Sequence, residues 1–377
     1  MKKIIILGAG MVGKAMAIDL STKYDVTSVD INPESLSYLS KNYPIKTKIA
    51  DLKNELELSS LIQEFDLVIS AVPGFLGLQT IITVINNKKD LVDISFLPED
   101  VMFLDKMAKD SNVTVIMDCG VAPGMPNIIA GYHNETMKIE NFEYMVGGLP
   151  LVRTFPFEYK APFSPCDVVE EYTRPARYVE NGKMIVKPAM SDTELIEFES
   201  IGTLEAFNSD GLRSLIFTLP NIPNMKEKTL RYPGHINMIK ALKAAGFLDH
   251  SPIKVKGFEL SPFEFTTELL FKAWKLDPNE REFTVMRIIL EGMENGINKK
   301  IVYDLYDEYD PEKRLSSMAR TTGFTATAAA DMIINNVFNK KGVFPPEFIG
   351  KYPECFNYIM NYLSERNVNY IKTETIG

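Results

Sequence analysis

The residues with the clearest chemical use are glycines that follow an apolar run near the start of the chain. The segment Gly8-Ala9-Gly10-Met11-Val12-Gly13 comes directly after the apolar residues 4–7. In such a GxGxxG pattern the first glycine makes a tight turn, the second lets the backbone approach a pyrophosphate, and the third allows close helix packing. The helix that follows offers free N–H groups to the phosphates. We therefore predict that a dinucleotide binds at Gly8, Gly10, Met11, Val12 and Gly13.

An acid at the end of the next apolar segment indicates which dinucleotide binds. Asp30 ends the segment DVTSVD, about 20 residues after the first glycine, which is the spacing of the ribose-binding acid. A carboxylate there accepts hydrogen bonds from the ribose hydroxyls and repels a 2′-phosphate. The alternative role, a helix cap, is disfavoured because Asn32-Pro33 already supplies a cap and a first helical turn. The pattern favours NAD over NADP.

Strand and helix patterns alternate as far as residue 118, which predicts a parallel sheet with helices on both faces. Ligands bind at the carboxyl ends of the strands in such a sheet. The glycine loop, the segment SAVPG and the segment DCGVAPGMPN should meet there. The further residues predicted to bind the cofactor are Ser70, Ala71, Val72, Pro73, Asp118 and Gly120.

The pattern changes after residue 126, where longer strand segments and aromatic and basic stretches begin. Asn295-Gly296 indicates a hairpin, with a loop that we expect to be longer than two residues. The apolar segment ARTTGFTATAAADMIINNVF predicts a buried helix that returns to the first domain. We predict an α/β fold. A Rossmann domain with a doubly wound parallel sheet spans residues 1–126 and is completed by 317–377. An α+β substrate-binding domain with a mixed sheet spans 127–316, and the end of the chain is frayed.

Composition excludes several classes of function. The net charge of −9 disfavours a nucleic-acid partner, and the chain has no apolar run of membrane-spanning length. Its three cysteines, Cys119, Cys166 and Cys355, are far apart, which favours the reducing cytoplasm over a disulfide framework. The three histidines are scattered, so no metal site is predicted.

Several segments together resemble the saccharopine dehydrogenase-like family. They run in family order as far as about residue 346: GAGMVGK, DCGVAPGMPN, MVGGLPL, FEYKAPFSP, GTLEAFNSDGL, LRYPGH and MARTTGFTATAAADMI. The resemblance implies a dinucleotide domain, a substrate and dimerisation domain, a closing C-terminal helix and a homodimer. It also implies hydride transfer between NAD and an amine-bearing carbon of a small amino acid.

Two positions resemble one branch of that family. Saccharopine-forming enzymes carry an acid where this chain has Ala122, and a cysteine where it has Val146. Lysine 6-dehydrogenases resemble the chain at both positions, which implies oxidative deamination of L-lysine at its ε-carbon. The product semialdehyde would cyclise to piperideine carboxylate. The alternatives are a saccharopine reductase, a carboxynorspermidine-type reductase and a non-catalytic NAD-binding regulator.

A lysine substrate requires a cation for its α-carboxylate and an acid for its α-ammonium. Arg213 and Arg231 are the candidates for the carboxylate, by bidentate pairing. Glu158 and Asp210 are the candidates for the ammonium. Each of these has an ordinary surface charge as its alternative.

Two residues are candidates for proton transfer. Lys160 matches the lysine of the family's Tyr-Lys-Phe-Ser-Trp segment and would act as a base if burial lowers its pKa. His235, in YPGH, would shuttle the proton near neutral pH, and its alternative is a structural histidine. Cys119 has no histidine near it in sequence, so we expect a buried thiol.

Overall fold

The computed structural model of the chain describes residues 1–97, 99–162, 165–199, 201–277 and 279–377, with the backbone alone at 165–167. Strands and helices alternate in its first third. They are β1 (Lys3–Leu7), α1 (Met11–Leu20), β2 (Asp25–Asp30), α2 (Pro33–Asn42), β3 (Lys46–Ile49), α3 (Glu55–Leu61), β4 (Leu67–Ser70), α4 (Gly74–Asn86), β5 (Asp90–Asp93), a short 3₁₀ helix (Val101–Leu104), α5 (Asp105–Asp110), β6 (Thr114–Ile116) and α6 (Met125–Asn134).

Longer strands follow, and the chain then returns to helices. These elements are β7 (Met137–Pro150), α7 (Pro165–Thr173), β8 (Ala176–Glu180), β9 (Lys183–Lys187), β10 (Glu194–Phe198), β11 (Gly202–Asn208), α8 (Leu215–Thr218), β12 (Asn224–Arg231), α9 (His235–Ala244), β13 (Ile253–Val255), β14 (Phe258–Leu260), α10 (Pro262–Trp274), β15 (Glu282–Glu294), β16 (Ile297–Glu308), α11 (Ser317–Ile334), β17 (Gly342–Phe344), α12 (Pro346–Gly350), α13 (Pro353–Ser364) and β18 (Tyr370–Ile376).

The first sheet is the predicted parallel Rossmann sheet. Its strand order is β17-β6-β5-β4-β1-β2-β3, and every neighbouring pair is parallel. Residues 4–7 are fully buried, as expected for a strand covered by helices on both faces. The order reverses direction beside β1, so the crevice that binds ligands in such sheets lies above the glycine loop.

The second sheet is mixed, as predicted. Its main path is β10-β11-β12-β7-β15-β16-β18, and β8 and β9 join at β12. The pair β12 and β7 is parallel, whereas β7 and β15 are antiparallel. Residues 224–229 of β12 run beside residues 141–146 of β7, so alternate side chains of the two strands lie on one face.

The hairpin at Asn295-Gly296 is tighter than predicted, so the expectation of a longer loop was wrong. β15 and β16 pair as far as Glu294 and Ile297, which leaves only Asn295 and Gly296 in the turn. Their φ angles are +53° and +79°. Asparagine and glycine tolerate this left-handed conformation, which a two-residue hairpin turn of this kind requires.

The returning segment divides between the two sheets. α11 packs along α1, where a Cβ at Gly323 would lie only 3.1 Å from Cγ of Met16. β17 extends the first sheet beside β6, but β18 pairs with β16 in the second sheet. The prediction of a frayed C-terminus was therefore wrong. The strand pairing of 370–376 also departs from the predicted assignment of 317–377 to the Rossmann domain.

Candidate active site

The glycine loop has the shape that a dinucleotide needs. Gly8 has a φ of +105°, and a Cβ there would lie 2.6 Å from the carbonyl oxygen of Ala71. A Cβ at Gly13 would lie 2.0 Å from the carbonyl oxygen of Gly8, which is why helix α1 can approach β1 so closely. A Cβ at Gly10 would meet no protein atom within 4 Å. The space over Gly10 thus fits a pyrophosphate.

Asp30 stands at the carboxyl end of β2, beside the glycine loop. Its Oδ2 accepts a hydrogen bond from the Ala9 N–H at 2.6 Å, and its Oδ1 accepts one from the Asn32 N–H at 2.8 Å. Asn32 caps α2 by accepting from the Glu34 N–H, as predicted. Asp30 is therefore free of the capping role and is fixed at the position expected for a ribose ligand.

The other predicted cofactor residues lie along the same edge of the first sheet. Ser70 ends β4, and residues 71–73 follow it into α4. The Gly120 N–H donates to the Pro123 carbonyl at 3.0 Å, which closes the turn after β6. Gly124, with a φ of +139°, fits this turn because a Cβ there would lie 1.8 Å from the Gly120 carbonyl oxygen. This edge is the one at which the sequence predicted the segments to meet.

A buried acid that the sequence reasoning missed lies at this edge. Asp93 ends β5, and its Oδ1 accepts from both the N–H and the hydroxyl of Ser95, at 3.0 and 2.6 Å. Burial raises the pKa of Asp93 to about 7, and the charge of Asp118 adds to the increase. The Asx turn that results sets the direction of the loop that carries Phe96.

Two residues predicted for different ligands bind each other. Both carboxylate oxygens of Asp118 accept from the Arg213 guanidinium, at 3.2 Å each, and both side chains are buried. The predicted roles, cofactor contact for Asp118 and substrate carboxylate contact for Arg213, therefore need correction. The pair links the end of β6 to the loop after β11. Each buried charge needs the other, because a buried charge without a partner is strongly destabilising.

A small cavity lies between this edge and the second sheet. Its volume is about 70 Å³. The loops after β5 and β6 contribute Phe96 and Ala122, and β7 contributes Tyr144 and Val146. Carboxylates make up much of the remaining wall: Glu170, Glu171, Asp210 and Glu227. Ala122 and Val146, the two positions on which the sequence resemblance to one branch depends, thus line the same cavity.

Arginines are paired with several of these carboxylates. Asp210, a predicted ammonium ligand, does line the cavity, and it accepts two bonds from Arg177 at 2.8 and 2.9 Å. Glu170 accepts from Arg174 at 3.0 Å. The Arg174 guanidinium also lies 5.3 Å from the ring centroid of Phe96. Arg174 is therefore a cation at the cavity wall that the sequence reasoning missed.

Glu227 differs from the other cavity acids. Its Oε2 accepts from the Ser209 hydroxyl at 2.8 Å and from the Gly211 N–H at 3.0 Å. Burial raises the pKa of Glu227 to about 8, and the charges of Glu171 and Asp210 raise it further. A buried carboxyl that titrates near neutral pH and faces a cavity is a candidate for proton transfer.

Arg231, a predicted substrate ligand, is engaged within the protein. It is fully buried and donates to Glu171, to the Tyr172 hydroxyl at 3.0 Å and to the Tyr159 hydroxyl at 3.4 Å. Its guanidinium lies 4.4 Å from the centroid of the Tyr159 ring. The prediction that Arg231 binds the substrate carboxylate is corrected, because the Arg231 guanidinium donates to Glu171 and holds that side chain in the cavity wall.

His235 is a structural histidine, which was the alternative to the predicted proton shuttle. Its Nε2 lies 3.0 Å from the Tyr172 hydroxyl and its Nδ1 lies 2.8 Å from the Phe157 carbonyl oxygen. Burial lowers the pKa of His235 to about 3, and the charge of Arg231 lowers it further. With both ring nitrogens engaged, it is placed to support Tyr172.

Lys160 and Glu158 lie away from the acidic cavity. The Lys160 ammonium donates to the Lys275 carbonyl at 3.2 Å and lies 4.0 Å from Glu280. It lines a separate, open cavity of about 590 Å³. Glu158 pairs with Arg153 instead of lining the acidic cavity. The structure thus does not bring these two predicted residues together with Asp210.

The missed residues had only weak signals in the sequence. Glu227 and Thr229 alternate along β12, so an acid on an inward-facing strand position was the available sign. Arg174 and Glu170 have the i, i+4 spacing of an ordinary helix surface pair. Nothing in the sequence links Glu227 or Arg174 to Ala122, which follows β6, because these residues meet at the cavity only in the folded protein.

No described helix is long and apolar enough to cross a membrane. Across the described ranges, no group of at least three His, Cys, Asp or Glu residues is placed to hold a metal ion. Cys119 is buried, and burial raises the pKa of its thiol to about 12, which agrees with the expected inert thiol. The Cys166 side chain lies outside the described residues. The cytoplasmic location and the homodimer stay predictions.

Family descriptions match both parts of the chain. The one named saccharopine dehydrogenase NADP binding domain matches residues 4–116, and the one named saccharopine dehydrogenase C-terminal domain matches residues 120–368. Among solved structures, apo saccharopine dehydrogenase (L-Glu forming) from Saccharomyces cerevisiae superposes with a TM-score of 0.82. That alignment has 20% identity and covers 100% of both chains. At this identity, the likeness shows a shared fold.

Curated relatives are similar over much of the chain. Mitochondrial alpha-aminoadipic semialdehyde synthase from Mus musculus is 27% identical over 92% of this chain and 45% of its own length. Saccharopine dehydrogenase [NADP(+), L-glutamate-forming] from Pyricularia oryzae is 29% identical over 72% of this chain and 63% of its own. The chain therefore matches less than two thirds of the length of these relatives.

Proposed function

Because the chain belongs to the saccharopine dehydrogenase family, we propose that it is a nicotinamide-dependent oxidoreductase acting on the amine-bearing carbon of an amino acid. The glycine loop supports the assignment of a dinucleotide cofactor. Gly10 faces open space, and a side chain at Gly8 or Gly13 would clash with the backbone. The acidic cavity supports a substrate that carries an ammonium group, because carboxylates favour a bound cation.

We propose oxidative deamination of L-lysine at its ε-carbon as the specific reaction. The observation that carries this choice is that Ala122 and Val146 both line the cavity. The family resemblance implies that saccharopine-forming enzymes carry an acid and a cysteine at these two positions. With a methyl and an isopropyl group there instead, the cavity has an apolar patch for the lysine side chain.

The reaction balances with NAD⁺ as the hydride acceptor and water as the only other reactant. The substrate R–CH₂–NH₃⁺ loses one proton and then a hydride from the carbon, which leaves an iminium that water converts to R–CHO and NH₄⁺. NAD⁺, when bound, supplies the hydride acceptor. The protein orients the carbon, accepts the proton and holds the ammonium. The semialdehyde then closes on its own α-amine.

Arg174 is the proposed partner of the substrate α-carboxylate. Arg213 and Arg231 donate to Asp118 and Glu171, respectively, inside the protein. Arg174 lines the cavity and is paired with an exposed carboxylate, Glu170. Exchange of an exposed ion pair for a substrate carboxylate costs little free energy, because such a pair contributes only about 0–1 kcal/mol.

NAD is the proposed cofactor, although the matching family description and the fungal relative name NADP. Asp30 is held beside the glycine loop by bonds from Ala9 and Asn32. A 2′-phosphate would meet this carboxylate, and residues 31–34 contain no lysine or arginine to bind it. The preference for NAD thus depends on repulsion at one side chain.

A second candidate is saccharopine reduction, which the names of the relatives favour. A panel of amines and aldehydes, each tested with NAD and NADP, separates the candidates. We expect NADH to form with lysine alone, with kcat/KM at least about tenfold higher for NAD than for NADP, equivalent to about 1.4 kcal/mol.

Other outcomes of the panel would contradict the proposal. Reduced cofactor consumed only when glutamate and an aldehyde are both present would identify a saccharopine-type reaction. Tight dinucleotide binding without turnover of any amine would identify a regulator. A preference for NADP would remove Asp30 from its proposed role.

A further inference from the structure

We propose that Glu227 is the group that accepts the ammonium proton of the substrate before hydride transfer, an inference that rests on the proposed function. The sequence reasoning assigned this step to Lys160 and His235, and the structure places both outside the acidic cavity. Glu227 lines that cavity together with Ala122.

The strand register directs Glu227 towards the cavity. Glu227 of β12 lies opposite Tyr144 of β7, and Thr229 lies opposite Val146. All of these residues line the cavity. Because side chains alternate along a strand, positions 227 and 229 share one face with positions 144 and 146. The carboxyl group is thus carried by a central strand pair, which is a rigid support for a reacting group.

Charge pairing distinguishes Glu227 from its neighbours. Glu170, Glu171 and Asp210 each have an arginine partner. Across the described residues, no lysine or arginine lies within ion-pair distance of Glu227, whose Oε2 accepts from the neutral Ser209 hydroxyl and Gly211 N–H. A substrate ammonium would therefore be the cation that this carboxylate lacks.

Close packing fixes the orientation of the carboxyl group. A Cβ at Gly211 would lie 2.6 Å from Cδ of Glu227, so a side chain there would displace the carboxyl group from the Gly211 N–H that Oε2 accepts from. The Ser209 hydroxyl, 2.6 Å from that of Thr229, donates to the same oxygen. With Oε2 held by these donors, Oε1 is the oxygen available to a substrate proton.

The ionisation of Glu227 suits the transfer. The groups that face it are the carboxylates Glu171 and Asp210 and the Tyr144 hydroxyl, with Arg174 and Glu170 on the cavity wall. Burial and the two carboxylates raise the pKa of Glu227 to about 8, so it takes a proton more readily than an ordinary carboxylate does. The step forms the Oε1–H bond and breaks one N–H bond. The proton then leaves to water.

The substitution Glu227→Gln removes the charge and keeps the shape. We expect kcat with lysine to fall at least about 100-fold, within the usual range for loss of a general base, while affinity for NAD stays unchanged. Wild-type kcat/KM should fall about tenfold per pH unit below about pH 8, and Glu227→Gln should lose this dependence. Lysine keeps its side-chain ammonium throughout that range.

Glu143→Gln is the matched control, since Glu143 precedes Tyr144 on β7 and pairs with Lys228 instead of lining the cavity. It should behave like the wild type. Calorimetry of lysine binding without dinucleotide gives a readout besides turnover: between pH 7 and pH 9, the affinity of the wild type should rise relative to that of Glu227→Gln, since titration of the lysine itself affects both proteins alike.

Failure of this inference differs from failure of the proposed function. A wild type that oxidises lysine together with a Glu227→Gln variant of similar kcat would overturn the role of Glu227 alone. A wild type that oxidises no amine would overturn the proposed function. If the variant does not fold, a wild-type kcat/KM that is flat between pH 6 and 9 still refutes the assignment.

Discussion

The glycine loop and the acidic cavity achieve their chemistry in opposite ways. In the loop, function depends on the absence of side chains. A Cβ at Gly8 or Gly13 would clash with the backbone, and Gly10 faces open space. In the cavity, function depends on charged side chains that come from distant parts of the chain. Asp118 and Arg213, which lie beside the cavity, are 95 residues apart and bind each other, and the Arg213 guanidinium lies 4.8 Å from the ring centroid of Phe96 in the cavity wall.

This difference explains which site a sequence can reveal. A loop built from consecutive residues has its geometry written as a spacing, so GxGxxG predicts it directly. The acidic cavity has no such spacing, because Glu171 and Asp210 acquire their arginine partners only in the folded state. Substitutions in the Asp118–Arg213 ion pair and in the glycine loop therefore separate the effects of long-range and local contacts.

The largest expected effect follows from breaking the long-range pair. Arg213→Ala leaves the Asp118 carboxylate buried without its cation, since both side chains are almost wholly inaccessible to water. Loss of one partner of a buried pair lowers the free energy of unfolding by about 3–5 kcal/mol. Denaturant unfolding of the variant measures this change.

Arg281→Ala is the control, because Arg281 pairs with Glu308 on the surface, where its side chain is 61% exposed. Its loss should change the free energy of unfolding by about 0–1 kcal/mol. The double variant Asp118→Ala/Arg213→Ala should lose less than the sum of its single variants, since no unpaired charge remains. Equal losses in the two arginine variants would contradict a supporting role for the buried pair.

A pair of glycine substitutions tests the local side of the comparison. Alanine at Gly13 would normally favour a helix by about 1 kcal/mol. Here its Cβ would lie 2.0 Å from the Gly8 carbonyl oxygen, so we expect a net loss of about 1–3 kcal/mol in the free energy of unfolding. Alanine at Gly10 has open space and an ordinary φ of −66°. Gly10→Ala should therefore unfold within about 0.5 kcal/mol of the wild type.

Dinucleotide affinity distinguishes the two variants further. Gly10→Ala should bind NAD at least about tenfold more weakly, because its methyl group occupies the space of the pyrophosphate. Fluorescence titration of folded protein measures this affinity. A Gly10→Ala variant that binds NAD as tightly as the wild type would show that the cofactor does not lie over this loop.

The fold was predictable because its signals are local and periodic. The alternation of strands and helices gave the parallel sheet, and the alanine-rich segment gave the buried helix α11. The errors also have physical reasons. The polar residues of β18 suggested a frayed end, but main-chain pairing with β16 forms a strand regardless of its exposed side chains.

The candidate site was predictable only where one segment makes it. Asp30 lies beside the glycine loop, as the spacing predicts, and accepts from the Ala9 N–H. The sequence leaves Arg213, Arg231 and His235 open between a role in the site and an ordinary or structural one, and all three are engaged inside the protein. The residue type of a charged side chain does not indicate whether its partner is a substrate or a buried residue. The choice between them is made by tertiary contacts.

An effect that appears only as the pH is lowered concerns His235, which contacts Tyr172 and Phe157. Burial lowers its pKa to about 3 in the folded protein, against about 6.5 in an unfolded chain. Above pH 6.5 neither state binds the proton, so stability is complete. Between about pH 6.5 and 3 the unfolded state binds one more proton, so the free energy of unfolding falls by about 1.4 kcal/mol per pH unit as the pH is lowered.

The substitution His235→Gln should remove this contribution. Because the glutamine does not titrate, the loss of unfolding free energy between pH 6.5 and 5 should be smaller than in the wild type by about 2 kcal/mol, even if the variant is less stable throughout. His250→Gln is the control, since His250 is exposed in the folded protein. Parallel pH profiles for the wild type and His235→Gln would mean that His235 accepts a proton in the folded protein. That result would restore it as a candidate for proton transfer and weaken the distinction between supporting and reacting groups around the cavity.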